Sequence, residues 1–152
     1  MNNNLIDDKN NIQNVLINSN FSCGFFINRS ELAKILKMKY NLQPIYDPCS
    51  YPGIQCKFFY NPDSTEHNGV HDDSLLIETG PHRQWSEISF MIFRTGSVLI
   101  VGNCDENILN IIYNYLKIII YKEYDKIFIK INNDEKKNTN KKIRKKTILF
   151  TN

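Results

Sequence analysis

The sequence predicts an α+β fold in which two helices cover one face of an antiparallel sheet. Residues 87–102 contain two strand-like runs, 89–93 and 97–101, joined by a short turn with a glycine, which is typical of a β-hairpin. Two amphipathic segments, 28–39 and 103–120, lie before and after the main strand-like runs. This order of elements favours a sheet with both helices packed on the same side.

The first helix is predicted from a capping pattern and an apolar stripe. Asn28 is a good N-cap residue, and Glu31 follows three positions later, as in a capping box. Three apolar side chains then share one helical face: Leu32, Ile35 and Leu36. We expect a short amphipathic helix here.

The second helix is predicted over residues 103–120. Asp105 and Glu106 stand near its positive N-terminal end, where acidic side chains are favourable. One stripe of the helix is apolar throughout: Ile108, Leu109, Ile112, Leu116 and Ile119. This stripe should pack on the sheet.

The remaining residues divide the chain into a leader, a body and a tail. The Asn-rich residues 1–11 have little to bury and are predicted to be a disordered leader or linker. The body covers 12–120, with a first strand at 13–18, extended Pro-rich segments at 40–52 and a further strand at 54–60. Within it, 61–86 reads as a long solvent-exposed insertion. Residues 121–152 form a basic tail, whose first part, 121–131, either extends the last helix or adds a strand.

Composition indicates one domain and excludes several classes of protein. The 152 residues are 41% hydrophobic, enough for one core, and the net charge of +3 combines −3 over residues 1–120 with +6 over 121–152. The four cysteines lack CxxC spacing, which favours a reduced intracellular location. The aliphatic run 118–120 is far shorter than the roughly 20 residues that span a bilayer, so no membrane partner is predicted.

Both faces of the predicted hairpin are apolar. Alternation places Phe90, Ile92, Val98 and Ile100 on one side and Met91, Phe93, Leu99 and Val101 on the other. Two short helices can cover only one of these sides. The second side is then a binding surface, or the insertion or tail folds back over it, or two copies pair face to face.

Three sequence blocks resemble one repeat of the TATA-box-binding-protein family. They are QNVL at 13–16, YPGIQCK at 51–57 and MIFRTGSVLIVG at 91–102, and the order and spacing agree apart from the insertion. The resemblance spans about residues 12–120, and the hairpin is especially similar to divergent factors of large DNA viruses. It implies a curved antiparallel sheet whose concave face binds the minor groove of A+T-rich DNA while two helices lie on the convex back.

The resemblance also implies roles for individual residues. Tyr51 and Phe93 match two aromatic side chains that wedge between base steps. Asn14 matches a donor to minor-groove acceptors, and Lys57 matches a residue that reaches the phosphate backbone. The apolar floor of the interface is matched by Leu16 and Leu99, and Val101 stands at a further DNA-contacting position.

This chain departs from the family pattern at several positions. Val101 replaces the usual Thr, Ser97 stands where a Lys is common, and Tyr51 replaces a Phe. One repeat is present where a full saddle needs two, so a second TATA-binding-protein-like repeat or a homodimer is an expected partner. Transcription factors or RNA polymerase are further expected partners, and a viral protein of this kind would work in the host nucleus or a cytoplasmic viral factory.

No catalytic, metal or cofactor site is predicted. His67, His71 and His82 with Asp72 and Asp73 read as a polar loop, since no helix fixes a ligand spacing. No nucleophile signature or phosphate loop is present in the sequence, so an enzyme is not expected. Two alternatives to a DNA-binding transcription initiation factor stay open: a protein-interaction module with the same fold, and an accessory substrate-binding domain of a nucleic-acid-processing enzyme.

Overall fold

The computed structural model describes residues 16–71 and 85–131 of the chain. Its strands are β1 (Ile17–Ser22), β2 (Phe26–Ile27), β3 (Gly53–Tyr60), β4 (Ser86–Phe93), β5 (Ser97–Gly102) and β6 (Phe128–Ile129). Its helices are α1 (Arg29–Met38), α2 (Glu106–Lys122) and the short α3 (Tyr124–Ile127). The α+β class predicted from the sequence is confirmed.

The main sheet has four antiparallel strands in the order β1-β5-β4-β3. The predicted hairpin forms its centre, with Phe90 opposite Ile100 and Ile92 opposite Val98. β1 pairs with β5 at one edge, and β3 pairs with β4 towards the other. Beyond β3, a single bridge joins Ile45 to Gln55, so part of the Pro-rich segment extends the sheet edge.

One face of this sheet, the covered face, is sealed by the helices. Eight of its side chains in β3, β4 and β5 are buried, and Tyr60 and Ser86 at its end are half-buried. The buried eight are Ile54, Cys56, Phe58, Ile88, Phe90, Ile92, Val98 and Ile100. α2 crosses the sheet, because its Tyr113 ring meets Phe21 of β1 at 4.9 Å and its Tyr115 ring meets Phe58 of β3 at 5.4 Å. Both helices therefore lie on the same side, and their buried apolar side chains complete the core.

Both predicted helices begin at a side-chain cap, which is the predicted Asn28 for α1 and, for α2, Asp105, a residue predicted only to lie near its positive end. The Asn28 side chain accepts a hydrogen bond from the backbone N–H of Glu31 at 3.2 Å, and the Asp105 side chain accepts one from Ile108 at 2.8 Å. In α1 the predicted stripe of Leu32, Ile35 and Leu36 is buried. In α2 the buried residues are Ile112, Leu116, Ile119 and Ile120, whereas Ile108 and Leu109 are half-buried.

The first strand lies later in the chain than predicted. The predicted range was 13–18, whereas β1 runs through Ser22, and residues 13–15 lie outside the described part of the chain. Four of the six β1 residues are polar, which hides the strand from a search for apolar alternation. The strand forms because Ile17 and Phe21 pack against the core while Asn18 and Asn20 face outward.

Residues 121–131 extend the helix and also add a strand. α2 continues to Lys122, α3 follows at once, and β6 pairs with β2 through Phe26 opposite Ile129. Ile127 and Glu123 are buried, so the folded body reaches beyond the predicted boundary at residue 120. Within the described residues, no helix is long and apolar enough to cross a membrane.

A buried carboxylate fastens the helices to each other. Glu123 is 2% exposed and accepts hydrogen bonds from the Lys39 ammonium, from the Tyr40 hydroxyl at 2.9 Å and from the Lys126 ammonium at 3.4 Å. The hydrogen bond from Lys39 is the main reason that the pKa of Glu123 lies below its usual value. Burial and the nearby carboxylate raise the pKa of Tyr40 to about 12. The end of α1 is thereby tied to the junction of α2 and α3.

Candidate nucleic-acid interface

The opposite side of the sheet, which we call the open face, carries the predicted site. Strand register places thirteen side chains on it: Asn18, Asn20, Ser22, Gln55, Lys57, Phe59, Glu87, Ser89, Met91, Phe93, Ser97, Leu99 and Val101. Each of them is half-buried or exposed, in contrast to the sealed residues of the covered face. The helices pack on the other side, so this face is the one that they leave bare.

Tyr51 and Phe93 come together at one corner of the open face. Their ring centroids are 6.0 Å apart, and the Tyr51 hydroxyl donates to the sulfur of Met91 at 3.5 Å. Gly53 lies beneath both rings: a Cβ atom there would come within 3.0 Å of Tyr51 and 3.1 Å of Phe93. The glycine of the YPG block thus makes room for the aromatic pair.

The loop that carries Tyr51 is held by hydrogen bonds at both ends. The backbone N–H of Tyr51 donates to the carbonyl of Asp47 at 3.0 Å, and the Arg29 guanidinium donates to the carbonyl of Pro52. Hydrogen bonding from Ser50 is the main reason that the pKa of Asp47 lies below its usual value. The position of the Tyr51 ring is therefore fixed by α1 and by the turn at Asp47.

The middle of the open face is apolar and its two edges are polar. In one cross-strand row, Asn20 lies opposite Leu99, Leu99 opposite Met91, and Met91 opposite Gln55. The next row runs from Asn18 through Val101 and Ser89 to Lys57. Amide groups and a cation therefore flank a central strip of Leu99, Val101 and Met91.

Lys57 is engaged by a carboxylate on the neighbouring strand. Its ammonium lies 2.8 Å from a carboxylate oxygen of Glu87, and the two side chains are 57% and 47% exposed. An ion pair as exposed as this contributes at most about 1 kcal/mol to stability. A phosphate group can therefore compete with Glu87 for Lys57 at small cost.

The predicted site residues divide into those that converge and those that lie apart. Tyr51 and Phe93 are in contact, and Leu99 and Val101 project from β5 onto the same face. Lys57 lies on that face as well, two rows from Gly53 along β3, and Leu16, 66% exposed, immediately precedes β1. Asn14 lies outside the described residues.

Several open-face residues were missed by the sequence reasoning. Asn18 and Asn20 stand on the outward side of β1, and Gln55 stands beside the aromatic pair, next to Met91, which hairpin alternation had already placed on this face. Period-two alternation along the predicted strand at 54–60 could have found Gln55. The two asparagines carry no such signal, because Ile17 and Phe21 are the only apolar residues of β1. Asn and Gln side chains matter here because their amides can donate to base edges.

Comparison with protein-family models, with curated proteins and with solved structures finds no match for this chain. The candidate interface therefore rests on the chain's own geometry. Of the predicted polar loop, His67 and His71 are described, and His82, Asp72 and Asp73 lie outside the described residues. Among residues 16–71 and 85–131, no group of three His, Cys, Asp or Glu side chains is placed to hold a metal ion.

Proposed function

We propose that this protein is a non-enzymatic transcription initiation factor that binds A+T-rich promoter DNA in the minor groove, as a TATA-box-binding-protein-like repeat. The observation that carries the proposal is the Tyr51 and Phe93 ring pair on the sheet face that the helices leave bare. Aromatic wedges of this kind unstack a base step, which costs a few kcal/mol and is offset by contacts with the bent duplex.

The rest of the open face has the chemistry that a minor groove requires. Leu99 and Val101 offer an apolar strip against the sugar walls, and the adjacent Asn18 and Asn20 amides can donate to the N3 and O2 acceptors of A·T pairs. A guanine amino group would crowd the same apolar strip. Lys57 supplies a cation for the phosphate backbone once Glu87 is displaced.

A second copy of the chain completes the proposed saddle. β1 is the last strand of the sheet among the described residues, so its outer edge can accept another strand. Pairing along β1 would join two open faces and place Asn18 and Asn20 at the centre. Light scattering at two protein concentrations tests this arrangement: we expect a concentration-dependent dimer, and a strict monomer that still bends DNA would refute it.

The DNA-binding proposal is tested by comparing two aromatic substitutions. We expect Phe93→Ala to weaken binding to an A+T-rich duplex about tenfold and to abolish bending measured by fluorescence energy transfer, since stacking on a base contributes about 1–3 kcal/mol. Tyr121→Ala is the matched control, because Tyr121 is 84% exposed on α2, behind the sheet. Equal affinities of wild type and Phe93→Ala would count against the wedge.

A protein-interaction module is the second candidate function. It is favoured by the Lys57–Glu87 ion pair, which leaves these two open-face charges balanced, and by the net charge of −3 over residues 1–120. In this case the open face docks another repeat or a transcription factor and does not read DNA. Lys57→Gln separates the two functions. If the protein binds DNA, the variant should show a plot of log binding constant against log salt concentration that is shallower by about one unit. If the apolar strip docks a protein, the slope of this plot for the protein complex should not change.

A further inference from the structure

A cavity of about 380 Å³ lies at the end of the sheet where β3 leads into residues 61–71 and Trp85 leads into β4. Its volume falls within the roughly 300–1,000 Å³ of small-ligand sites. The cavity is separate from the Tyr51 and Phe93 corner, which lies at the opposite end of β3. It therefore needs an interpretation of its own.

Three aromatic rings form one wall of this cavity. The His71 ring lies between the other two, 5.0 Å from the ring centroid of Phe59 and 4.9 Å from that of Trp85. The His71 and Trp85 rings are inclined by only 34° to each other, so they present flat surfaces in series. Flat walls of this kind stack on planar heterocycles.

Hydrogen-bond donors and an acceptor line the cavity beside the rings. The side-chain oxygens of Asn61 and Asn68 accept backbone N–H groups of Asp63 at 2.9 Å and Val70 at 3.0 Å. These bonds engage the side-chain oxygens, so each Asn offers its NH₂ group as a donor to the cavity. Glu66 also lines the cavity, and its carboxylate can only accept.

His67 adds a buried polar atom that lacks a partner. Its Nδ1 is inaccessible and has no hydrogen-bond partner, while its ring packs on Tyr60 at 4.7 Å. Buried polar atoms in folded proteins are nearly always paired, and an unpaired one costs about 1–3 kcal/mol. His67 lines the cavity through its other atoms, because Nδ1 is not accessible from it.

The cavity wall is fixed to the core of the protein. Gly69 is buried with φ +75°, and its carbonyl accepts a hydrogen bond from the N–H of Phe59 at 3.1 Å. A Cβ atom at this position would come within 2.5 Å of the Phe58 ring. Gly69 therefore packs against β3 in a conformation that favours glycine, which anchors the neighbouring lining residues Asn68 and Val70.

From this combination we propose that the cavity binds a purine base, and guanine in preference to adenine. The aromatic wall stacks on the base, and the Asn NH₂ groups donate to its ring and carbonyl acceptors. Glu66 accepts from two adjacent N–H groups, which guanine presents on its Watson–Crick edge and adenine does not. The base can come from a free nucleotide or from an unstacked position of a nucleic-acid strand, because both offer the same ring.

The chain reports on this site directly, because Trp85 is its single tryptophan. We expect GMP to quench Trp85 fluorescence in a saturable way, with an affinity about tenfold higher than that of AMP, and ribose 5-phosphate to leave the fluorescence unchanged. A single-stranded oligonucleotide with one guanine among thymines distinguishes the two sources of the base. Tighter binding of this oligonucleotide than of GMP assigns the site to a strand, and tighter binding of GMP assigns it to the free nucleotide.

Two variants complete the test. Glu66→Gln should lower the affinity for GMP about tenfold and leave that for AMP within about threefold, whereas the matched change Glu106→Gln on α2 should alter neither. Phe93→Ala should leave GMP binding intact, which separates this site from the proposed duplex interface. No quenching by either GMP or the oligonucleotide, or equal affinities for GMP and AMP that Glu66→Gln does not change, would overturn the proposal.

Discussion

The covered and open faces of the main sheet are built from the same strands and differ in what surrounds them. In β4, Ile88, Phe90 and Ile92 are fully buried, whereas the alternating Ser89, Met91 and Phe93 are half-buried. The covered side is apolar at every buried position of β3, β4 and β5. The open side interrupts its apolar strip with amides, hydroxyls and an ion pair.

This difference shows that apolar side chains on both faces of a strand do not mean burial on both faces. The helices seal one side, and the second side keeps large side chains beside polar groups that can meet water or a ligand. An apolar strip with polar edges suits a surface that water covers in the free protein and a partner covers in a complex. The difference in burial between the two faces can be tested by making the same substitution on each.

The largest expected effect comes from removing a phenylalanine from each side of β4. Phe90→Ala should lower the free energy of unfolding by about 3–5 kcal/mol, because it leaves a cavity in a fully packed core. Phe93→Ala should cost about 1 kcal/mol, since the half-buried ring already meets solvent. Urea denaturation of both variants measures the contrast, and equal losses would mean that the two faces are equally sealed.

The helices and the hairpin were predictable because their signals are local. Asn28 and Asp105 mark helix starts by their own capping chemistry, and the apolar stripes that follow identify the buried sides. The hairpin at 87–102 combines two apolar runs with a glycine turn in αL geometry at Gly96, φ +83°. These elements needed no knowledge of distant contacts.

The rest depended on contacts between distant parts of the chain. β1 is polar at four of six positions and forms because β5 pairs with it, which no local pattern shows. β6 has two residues and exists through its pairing with β2, about 100 positions away. In the candidate site, the sequence picked out Tyr51 and Phe93 individually through a family resemblance. Their contact across Gly53 became visible only in the folded chain.

A second pair of variants probes the two faces at glycines. Gly102→Ala points a methyl group into the covered face, 3.1 Å from the Cα atom of Ile88, so backbone must move and we expect a loss of about 1–3 kcal/mol. Gly53→Ala points into the open face, where the nearest atoms belong to the Tyr51 and Phe93 rings. These rings can turn aside, so its cost should stay below about 1 kcal/mol.

The two glycine variants should also differ in DNA binding. Gly53→Ala should weaken it by displacing the aromatic pair, whereas Gly102→Ala should not once the protein is folded. Thermal melts and duplex titrations on both variants provide the measurement. A greater loss of stability in Gly53→Ala than in Gly102→Ala would contradict the tight packing assigned to Gly102 on the covered face and the looser surroundings assigned to Gly53 on the open face.

The helical cover itself should respond to pH through Glu123. Its folded-state pKa lies below the ordinary 4.5, so its contribution to stability is complete above that value and is lost as the pH falls through the folded pKa. Glu123→Gln should lower the free energy of unfolding by about 1–2 kcal/mol at pH 7, since it weakens hydrogen bonds to a charged group. The difference between wild type and variant should shrink as the pH falls below the ordinary value of 4.5. A constant difference from pH 7 to pH 3 would contradict this role.

The last prediction concerns two cysteines, whose labelling rates report the solvent access of each thiol without a mutation. Cys56 lies on the covered face, 4% exposed, and burial raises the pKa of its thiol to about 11, whereas Cys49 is exposed in the turn before Tyr51. Because the thiolate is the reactive form, Cys49 should react with a disulfide reagent at pH 8 within the mixing time, and Cys56 should react only as the protein unfolds. Mass spectrometry of the labelled peptides distinguishes the two sites. Rapid labelling of Cys56 in the native protein would show that the helices often separate from the covered face. The two faces would then differ only in how often each one is exposed to solvent.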